Sequence, residues 1–396
     1  MTLMSLLLSG EMNRITMEAY FDNSATTRVY PETAELMMKI MTEDYGNPSS
    51  LHKYGVTAEH YIKDATDQAA KSLHCLPEEI IFTSGGTEAN NQALIGTALA
   101  KNRLGKHIIS TNIEHPSVSA TLDFLEKQGF LVTRLAVNAD GIVTPEQVVS
   151  AIRPDTILVS VMMVNNEIGS ILPIADIAKA VHKCSPKIYV HTDAIQAYGK
   201  LPINVSKLGV ELLSVSGHKL HGPKGSGFLY VKKGLLLRPI IYGGGQQRNM
   251  RSGTENVPAI AGLGDAIKRC FADFDDRVAR ITELRDRLIA GLTALPDVVD
   301  HSKGAPHIAS FSFVGIRAEV MLHSLEAEGV YVSAGSACSS NKKRESGVLS
   351  AIELPAEQRE STLRFSLSEE NTEEEVQYAI DTVAKLLPTL RHYTRG

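Results

Sequence analysis

The sequence contains no tryptophan, and aromatic residues make up only 6% of it. Cysteine is scarce as well, with four residues at positions 75, 184, 270 and 338. No two of them form a C-x-x-C pair, so neither a disulfide framework nor a zinc site is indicated, and a reducing cytoplasm is the setting this usage fits. Basic charge is not in excess: 40 Lys+Arg against 45 Asp+Glu leave a net charge of −5, which gives no ground for a direct nucleic-acid or anionic-membrane partner. No apolar run approaches the ~20 residues of a membrane-spanning helix. Leu3 to Leu8 is apolar, but no basic residue precedes it and Glu11 soon follows, so it lacks the charged start and long apolar centre of a secretory signal. Residues 1–16 read as an N-terminal extension, with Met12 and Met17 as alternative starts.

What is present fits a globular enzyme: 43% hydrophobic and 21% charged residues. A chain of 396 residues exceeds the usual size of one core, so two domains are expected. Ala58, Ile62, Ala65, Ala69 and Leu73 recur at helical spacing. Short apolar runs then alternate with helical patterns. Strands are expected at Ile80–Phe82, His107–Ser110, Leu131–Val137, Thr156–Val164, Lys187–His191, Leu212–Val215 and Gly227–Val231. The helices between them fall at Thr87–Lys101, Pro116–Lys127, Pro145–Ile152 and Ile174–His182. Such alternation implies an α/β fold, a mostly parallel sheet flanked by helices. The pattern breaks near Gly243-Gly244-Gly245. Beyond it come a charged helix near Asp276–Leu295, strands near Ile308–Phe313 and Thr362–Ser368, and helices at Ala318–Glu328 and from Glu373 to about Leu390. This reads as a smaller α+β domain. The expected division is 17–258 for the large domain and 259–396 for the small one, with the boundary near Gly253 to Gly264.

In an open parallel sheet, ligands bind beyond the carboxyl ends of the strands. The residues following the runs are Thr83-Ser84-Gly85-Gly86-Thr87-Glu88, Asn112-Ile113-Glu114-His115, Asn165-Asn166-Glu167, Asp193 with Gln196, and Ser216-Gly217-His218-Lys219. A glycine-rich turn that opens a helix suits a phosphate. SGGTEANN matches neither dinucleotide nor nucleoside-triphosphate fingerprints, and taken alone is a weak signal. Asp193 by itself reads as a turn cap and Lys219 as a solvated lysine. Together, a phosphate cradle, a strand-end acid and a strand-end lysine meet the needs of pyridoxal phosphate. No ligand spacing supports a metal at Cys338 with His218, His221 or His301.

In order along the chain run YFDNSATT, YGNPSSLH, TSGGTEANN, EHPSV, VNNEIG, HTDAIQ, SVSGHKLHGPKG, RSGTEN, SAGSACSS and STLRFSLS. On these motifs the chain resembles the cysteine desulfurases of the NifS/IscS type, class V aminotransferases among the fold-type I pyridoxal-phosphate enzymes, from about Tyr20 to the last helix. The resemblance implies a reaction in which L-cysteine yields L-alanine and a persulfide on Cys338, then passed to an acceptor protein. Lys219 would carry the cofactor covalently. Asp193 would pair with the ring nitrogen, and His115 would stack on the ring and transfer protons. Gln196, with Asn166, would bond the phenolic oxygen, while Gly86, Thr87, Ser216 and His218 would hold the phosphate. Thr254 would reach the phosphate of a neighbouring subunit, implying a homodimer. Arg364, with Asn166, would bind substrate, its guanidinium clamping the carboxylate, and DNSATT would line the substrate pocket.

Cys338 lies among small residues that suit a moving loop. An unperturbed thiol is only about 3% thiolate at pH 7, so His115 or the Lys342-Lys343-Arg344 cluster is expected to activate it; the plainer reading of that cluster is a solvated loop. Same-fold alternatives are a selenocysteine lyase and a small-amino-acid aminotransferase. A third is a sulfur-delivery docking protein with catalysis secondary. Relatives dedicated to iron–sulfur assembly often carry a longer tail than the one ending here at Gly396, which sets a tRNA-thiolation or thiamin-pathway acceptor level with an iron–sulfur scaffold.

Overall fold

The computed structural model describes residues 17–334 and 346–394. Cys338, the Lys342–Arg344 cluster and the extension 1–16 lie outside the described residues. A seven-stranded sheet runs in the order Ile80–Thr83, Gly227–Val231, Leu212–Ser216, Tyr189–Asp193, Thr156–Ser160, His107–Thr111, Leu131–Leu135. Only Gly227–Val231 is antiparallel to its neighbours. The other six strands therefore end at one edge. His107–Thr111, Thr156–Ser160 and Leu212–Ser216 are buried along their whole length, as strands covered on both faces must be. Leu131–Leu135, at the sheet's end, is partly exposed, and Arg134 on it is paired with Asp123 and Glu126, a charged edge that discourages further strand pairing.

Three strands of this sheet have limits two or more residues from those expected, while Ile80–Thr83, His107–Thr111 and Leu212–Ser216 run one residue longer. Leu131–Leu135 stops two residues early. Thr156–Ser160 ends before Val164, although Val161 and Met163 N–H still donate to the His191 and Asp193 carbonyls; beyond them the chain turns at Asn165, whose Oδ1 accepts from the N–H groups of Glu167 at 2.9 Å and Ile168 at 3.1 Å. Tyr189–Asp193 begins two residues late, after a turn closed by Ile188 N–H on the Ser185 carbonyl. That shift makes Asp193 the last residue of a strand, held at fixed depth.

A second sheet of four antiparallel strands, in the order Ser333–Ala334, Thr362–Ser366, Ile308–Phe313, Val298–Asp300, has its own apolar core. Ile281, Leu284, Leu288 and Leu292 line one face of the helix Phe274–Thr293 and pack with Phe311, Phe313, Phe365 and Val383. Ala19–Tyr20 pairs in parallel with Val330–Tyr331, and Phe21 is buried in this second core. Gly262 and Gly264, expected near a boundary, lie inside the helix Val257–Cys270. A Cβ at Gly264 would fall 2.6 Å from Ala65 Cα, so this glycine serves close helix–helix approach. Among the described residues no helix is long and apolar enough to cross a membrane.

Candidate active site

The strand ends gather most of the expected residues, and the segment Asp22–Thr27 stitches them together. Lys219 Nζ donates to the carbonyls of Ser24 at 2.6 Å and Ala25 at 2.7 Å. Gln196 Nε2 donates to the same Ser24 oxygen at 3.0 Å. Thr26 Oγ1 meets His218 Nδ1 at 3.2 Å, and Thr27 N–H donates to the His218 carbonyl at 2.9 Å. Toward the second sheet, Ser24 N–H donates to Ser366 Oγ at 2.8 Å and Asn23 Nδ2 to the Ser366 carbonyl at 3.0 Å. The segment thus ties the lysine turn to the strand that carries Arg364. Arg364 donates through Nη2 to Asp22 at 2.9 Å and through Nη1 to the Asn166 carbonyl at 2.8 Å.

Asp193 is buried, and each carboxylate oxygen has a donor: Ile195 N–H at 2.9 Å on one, Asn90 Nδ2 at 2.7 Å on the other. Burial raises its pKa, against the pull of those two donors and of His115 and Lys219. Burial lowers that of His115; Lys219 adds to the effect and Asp193 opposes it. His218 is pushed down to about 4 by burial, with Lys219 and Lys224 adding to it, so it is neutral near pH 7.

At the first strand end, Gly85 takes φ +147°, a value side chains rarely adopt, and opens the helix Gly86–Lys101. Glu88 pins this turn, accepting from Ser84 N–H at 2.9 Å and pairing with Arg251 at 2.9 Å. A cavity of about 380 Å³ opens here, its wall including Thr26, Gly86, Thr87, Ser216, His218 and Lys224. Thr254 is exposed and does not line that cavity in its own chain. Asn166 meets Arg364 through its backbone.

Several residues of this cluster were not singled out by sequence reasoning. Asn90 and Ser117 bridge Asp193 and His115. His307, from the second sheet, holds Gln196 Oε1 at 3.2 Å through Nε2. Glu114, already among the strand-end residues of the sequence, is buried, and burial pushes it up to about 8. Asn90 could have been found by helical spacing, one turn after the glycines. For His307 no local signal exists.

A lysine and an acid at the ends of neighbouring parallel strands, over a glycine-turn cavity, define an α/β enzyme of the aminotransferase kind. The family model for aminotransferase class V matches residues 19–379. The cysteine desulfurase IscS of Dictyoglomus turgidum is 44% identical over 378 residues, covering 94% of this chain and 95% of its own. A solved NifS-like protein superposes with TM-score 0.90 at 38% identity, covering 94% of this chain and all of its own. The structure of SspA in complex with cysteine gives 0.79 at 35% identity, covering 89% of this chain and all of its own. The chain belongs to aminotransferase class V, a pyridoxal-phosphate-dependent enzyme class, and within it to the cysteine desulfurases of the NifS/IscS type.

Proposed function

We propose that this chain takes sulfur from L-cysteine, with residues of the strand-end cluster in named roles, and passes it through Cys338 to an acceptor protein. The observation that carries the assignment of roles is the convergence of Lys219 Nζ and Gln196 Nε2 on one oxygen, beside the buried carboxylate of Asp193. Two donors aimed at a single oxygen suit the phenolic oxygen of pyridoxal phosphate. The cavity wall of glycine turn, Thr87, Ser216 and neutral His218 suits its phosphate, and Lys224 on that wall supplies a positive charge. The residues present therefore fit the cofactor.

When bound, pyridoxal phosphate supplies an electron sink for the substrate Cα. Lys219 Nζ would hold the cofactor and move the substrate Cα proton. Asp193 would keep a proton on the ring nitrogen, His115 would stand beside the ring, and Gln196, steadied by His307, would hold the phenolic oxygen. Arg364 holds the substrate carboxylate. Cys338 Sγ, as thiolate, would form a bond to the substrate sulfur while the Cβ–sulfur bond breaks and its electron pair stays with carbon; the carbon fragment takes one proton at Cβ, recovers the one lost at Cα, and leaves as L-alanine. Thr254 contributes to the neighbouring subunit's cavity in a homodimer. The two working units are 17–258 and 259–396, with Val257–Cys270 packed on the first and residues 19–21 on the second. The acceptor is an iron–sulfur scaffold or a tRNA-thiolation enzyme, and the setting is cytoplasmic.

The test is alanine release from L-cysteine, with a reductant present, by the wild type and by Cys338→Ala. Alanine from the wild type alone supports the role of Cys338. Equal release by both would remove that residue from the reaction.

A further inference from the structure

Asn90, Ser117, His115 and Asp193 form a directional hydrogen-bond chain, and its direction can be read from chemistry. His115 is the N-cap of the helix Pro116–Lys127: its Nδ1 accepts Ser117 N–H at 3.1 Å. A backbone N–H only donates, so Nδ1 carries no proton. Ser117 Oγ lies 2.8 Å from the same Nδ1. Asn90 Nδ2, which also only donates, reaches Ser117 Oγ at 2.9 Å and Asp193 Oδ2 at 2.7 Å. With its acceptor side engaged by Asn90, the Ser117 hydroxyl sends its hydrogen to Nδ1. Turning the Asn90 amide over would aim its oxygen at a carboxylate, so the amide is held this way although Asn90 Oδ1 is then buried without a partner among the described residues.

We propose that Ser117 and Asn90 are positioning residues that keep His115 as the Nε2–H tautomer and couple that choice to the acid at Asp193. The inference rests on the reading above, in which the cofactor ring lies with Asp193 and His115. Nδ1 is fully engaged as an acceptor, so neutral His115 carries its one hydrogen on Nε2 and offers it there as a hydrogen-bond donor. With the cofactor bound, Asp193 would divide its carboxylate among the ring nitrogen, Ile195 N–H and Asn90, so loss of Asn90 reaches both ends of the chain. The charged or titratable groups facing His115 are Asp193 and Lys219 from neighbouring strand ends, with Glu114 preceding it in sequence and coupled to Asp193.

The test uses the pyridoxal-phosphate-loaded enzyme labelled with ¹⁵N-histidine, His115 being assigned from the signal lost in His115→Gln. The expected spectrum has a protonated Nε2 and an unprotonated Nδ1 at neutral pH. A protonated Nδ1 in the wild type overturns the proposal without any variant that must fold. In kinetics, Ser117→Ala and Asn90→Leu should lower kcat about tenfold, a partial loss of acid–base function, with little change in KM for cysteine. Ser117→Ala removes a donor to Nδ1, and Asn90→Leu frees the Ser117 hydroxyl to turn away from it; either makes the ring easier to protonate, so the acidic limb of kcat/KM should move to higher pH. Ser117→Thr, which keeps the hydroxyl and the N–H, should restore both. An unmoved acidic limb in both disrupting variants would reduce the pair to packing and overturn the proposal. If the wild type makes no alanine from cysteine, the functional reading fails, while the histidine spectrum still decides the tautomer.

Discussion

Arg364 donates to Asp22 at 2.9 Å, so the guanidinium expected to clamp a substrate carboxylate already faces a carboxylate of its own chain. Its Nη1 is taken by the Asn166 carbonyl, and its Nε is buried without a partner among the described residues. Asp22 therefore steadies the fork and also sets a like charge against the incoming substrate. Asp22→Asn keeps an acceptor and removes the charge. At about 1 kcal/mol of relieved repulsion, KM for L-cysteine should fall about fivefold with kcat unchanged. Steady-state kinetics check this, and a raised KM would mean that the charge is needed to aim the fork. Arg364→Lys, which loses the planar geometry, should lower kcat/KM by about a hundredfold.

Glu114 predicts a pH dependence of stability. Its Oε1 accepts from Thr111 Oγ1 at 2.8 Å and from Met162 N–H at 3.0 Å, while Oε2 is buried without a partner among the described residues. Burial pushes the carboxyl from 4.5 up to about 8; Met162 and Thr111 oppose this, and Asp193 adds to it. Between those values the folded protein holds more protons than the unfolded chain, so this group's stabilisation is present at low pH and is lost as pH rises toward 8. Glu114→Gln imitates the protonated acid at every pH. Urea denaturation should find it similar to the wild type at pH 5 and more stable by at least about 1 kcal/mol at pH 9. The same difference at both pH values would mean that Glu114 is ionised throughout.

Gly264 tests the contact between two helices. Alanine would gain about 1 kcal/mol in helix propensity. Its Cβ, however, would lie 2.6 Å from both Cα and Cβ of Ala65, and no flexible side chain is there to yield. The helices Lys53–Leu73 and Val257–Cys270 would have to part, a strain of about 1–3 kcal/mol. Gly264→Ala should therefore lower the midpoint of thermal unfolding; an unchanged or higher midpoint would show that the helices separate at no cost.

How far the sequence could be read follows from what sets each feature. Buried strands such as Leu212–Ser216 and Gly227–Val231 were legible because an apolar run between turns has few other uses. Side-chain turns were not: Asn165 turns the chain beyond a strand by capping its own backbone, which no hydrophobic pattern records. At the site, Lys219, Asp193, Gln196 and His115 announce themselves at strand ends. Their supports do not. Ser24 acts through its carbonyl and His307 arrives from another sheet, and neither role leaves a mark in local sequence. The glycines 262 and 264 misled for the opposite reason, since punctuation and close packing use the same residue.

Glu369 gathers charges from separate parts of the chain behind the Lys219 turn. It accepts from Tyr30 OH, pairs with Arg277 at 3.3 Å, and lies 3.4 Å from His221 Nε2. Lys200, buried nearby, donates to the Lys219 carbonyl at 3.1 Å. Burial alone would raise the carboxyl, but His221, Lys200 and Arg277 together hold it well below the usual carboxylate range. A depressed folded-state pKa means that its stabilisation is complete above the unfolded value near 4.3 and is lost only as pH falls well below it. Glu369→Gln leaves Arg277 and Lys200 without their counter-charge, which for a buried cluster costs about 3 kcal/mol. Denaturant melts should show that loss at pH 7 and a shrinking difference below pH 4. Because the cluster sits directly under Lys219, the variant should also weaken cofactor retention on dialysis. Full stability at pH 7 would mean that solvent reaches these groups and that the cluster does not brace the lysine turn.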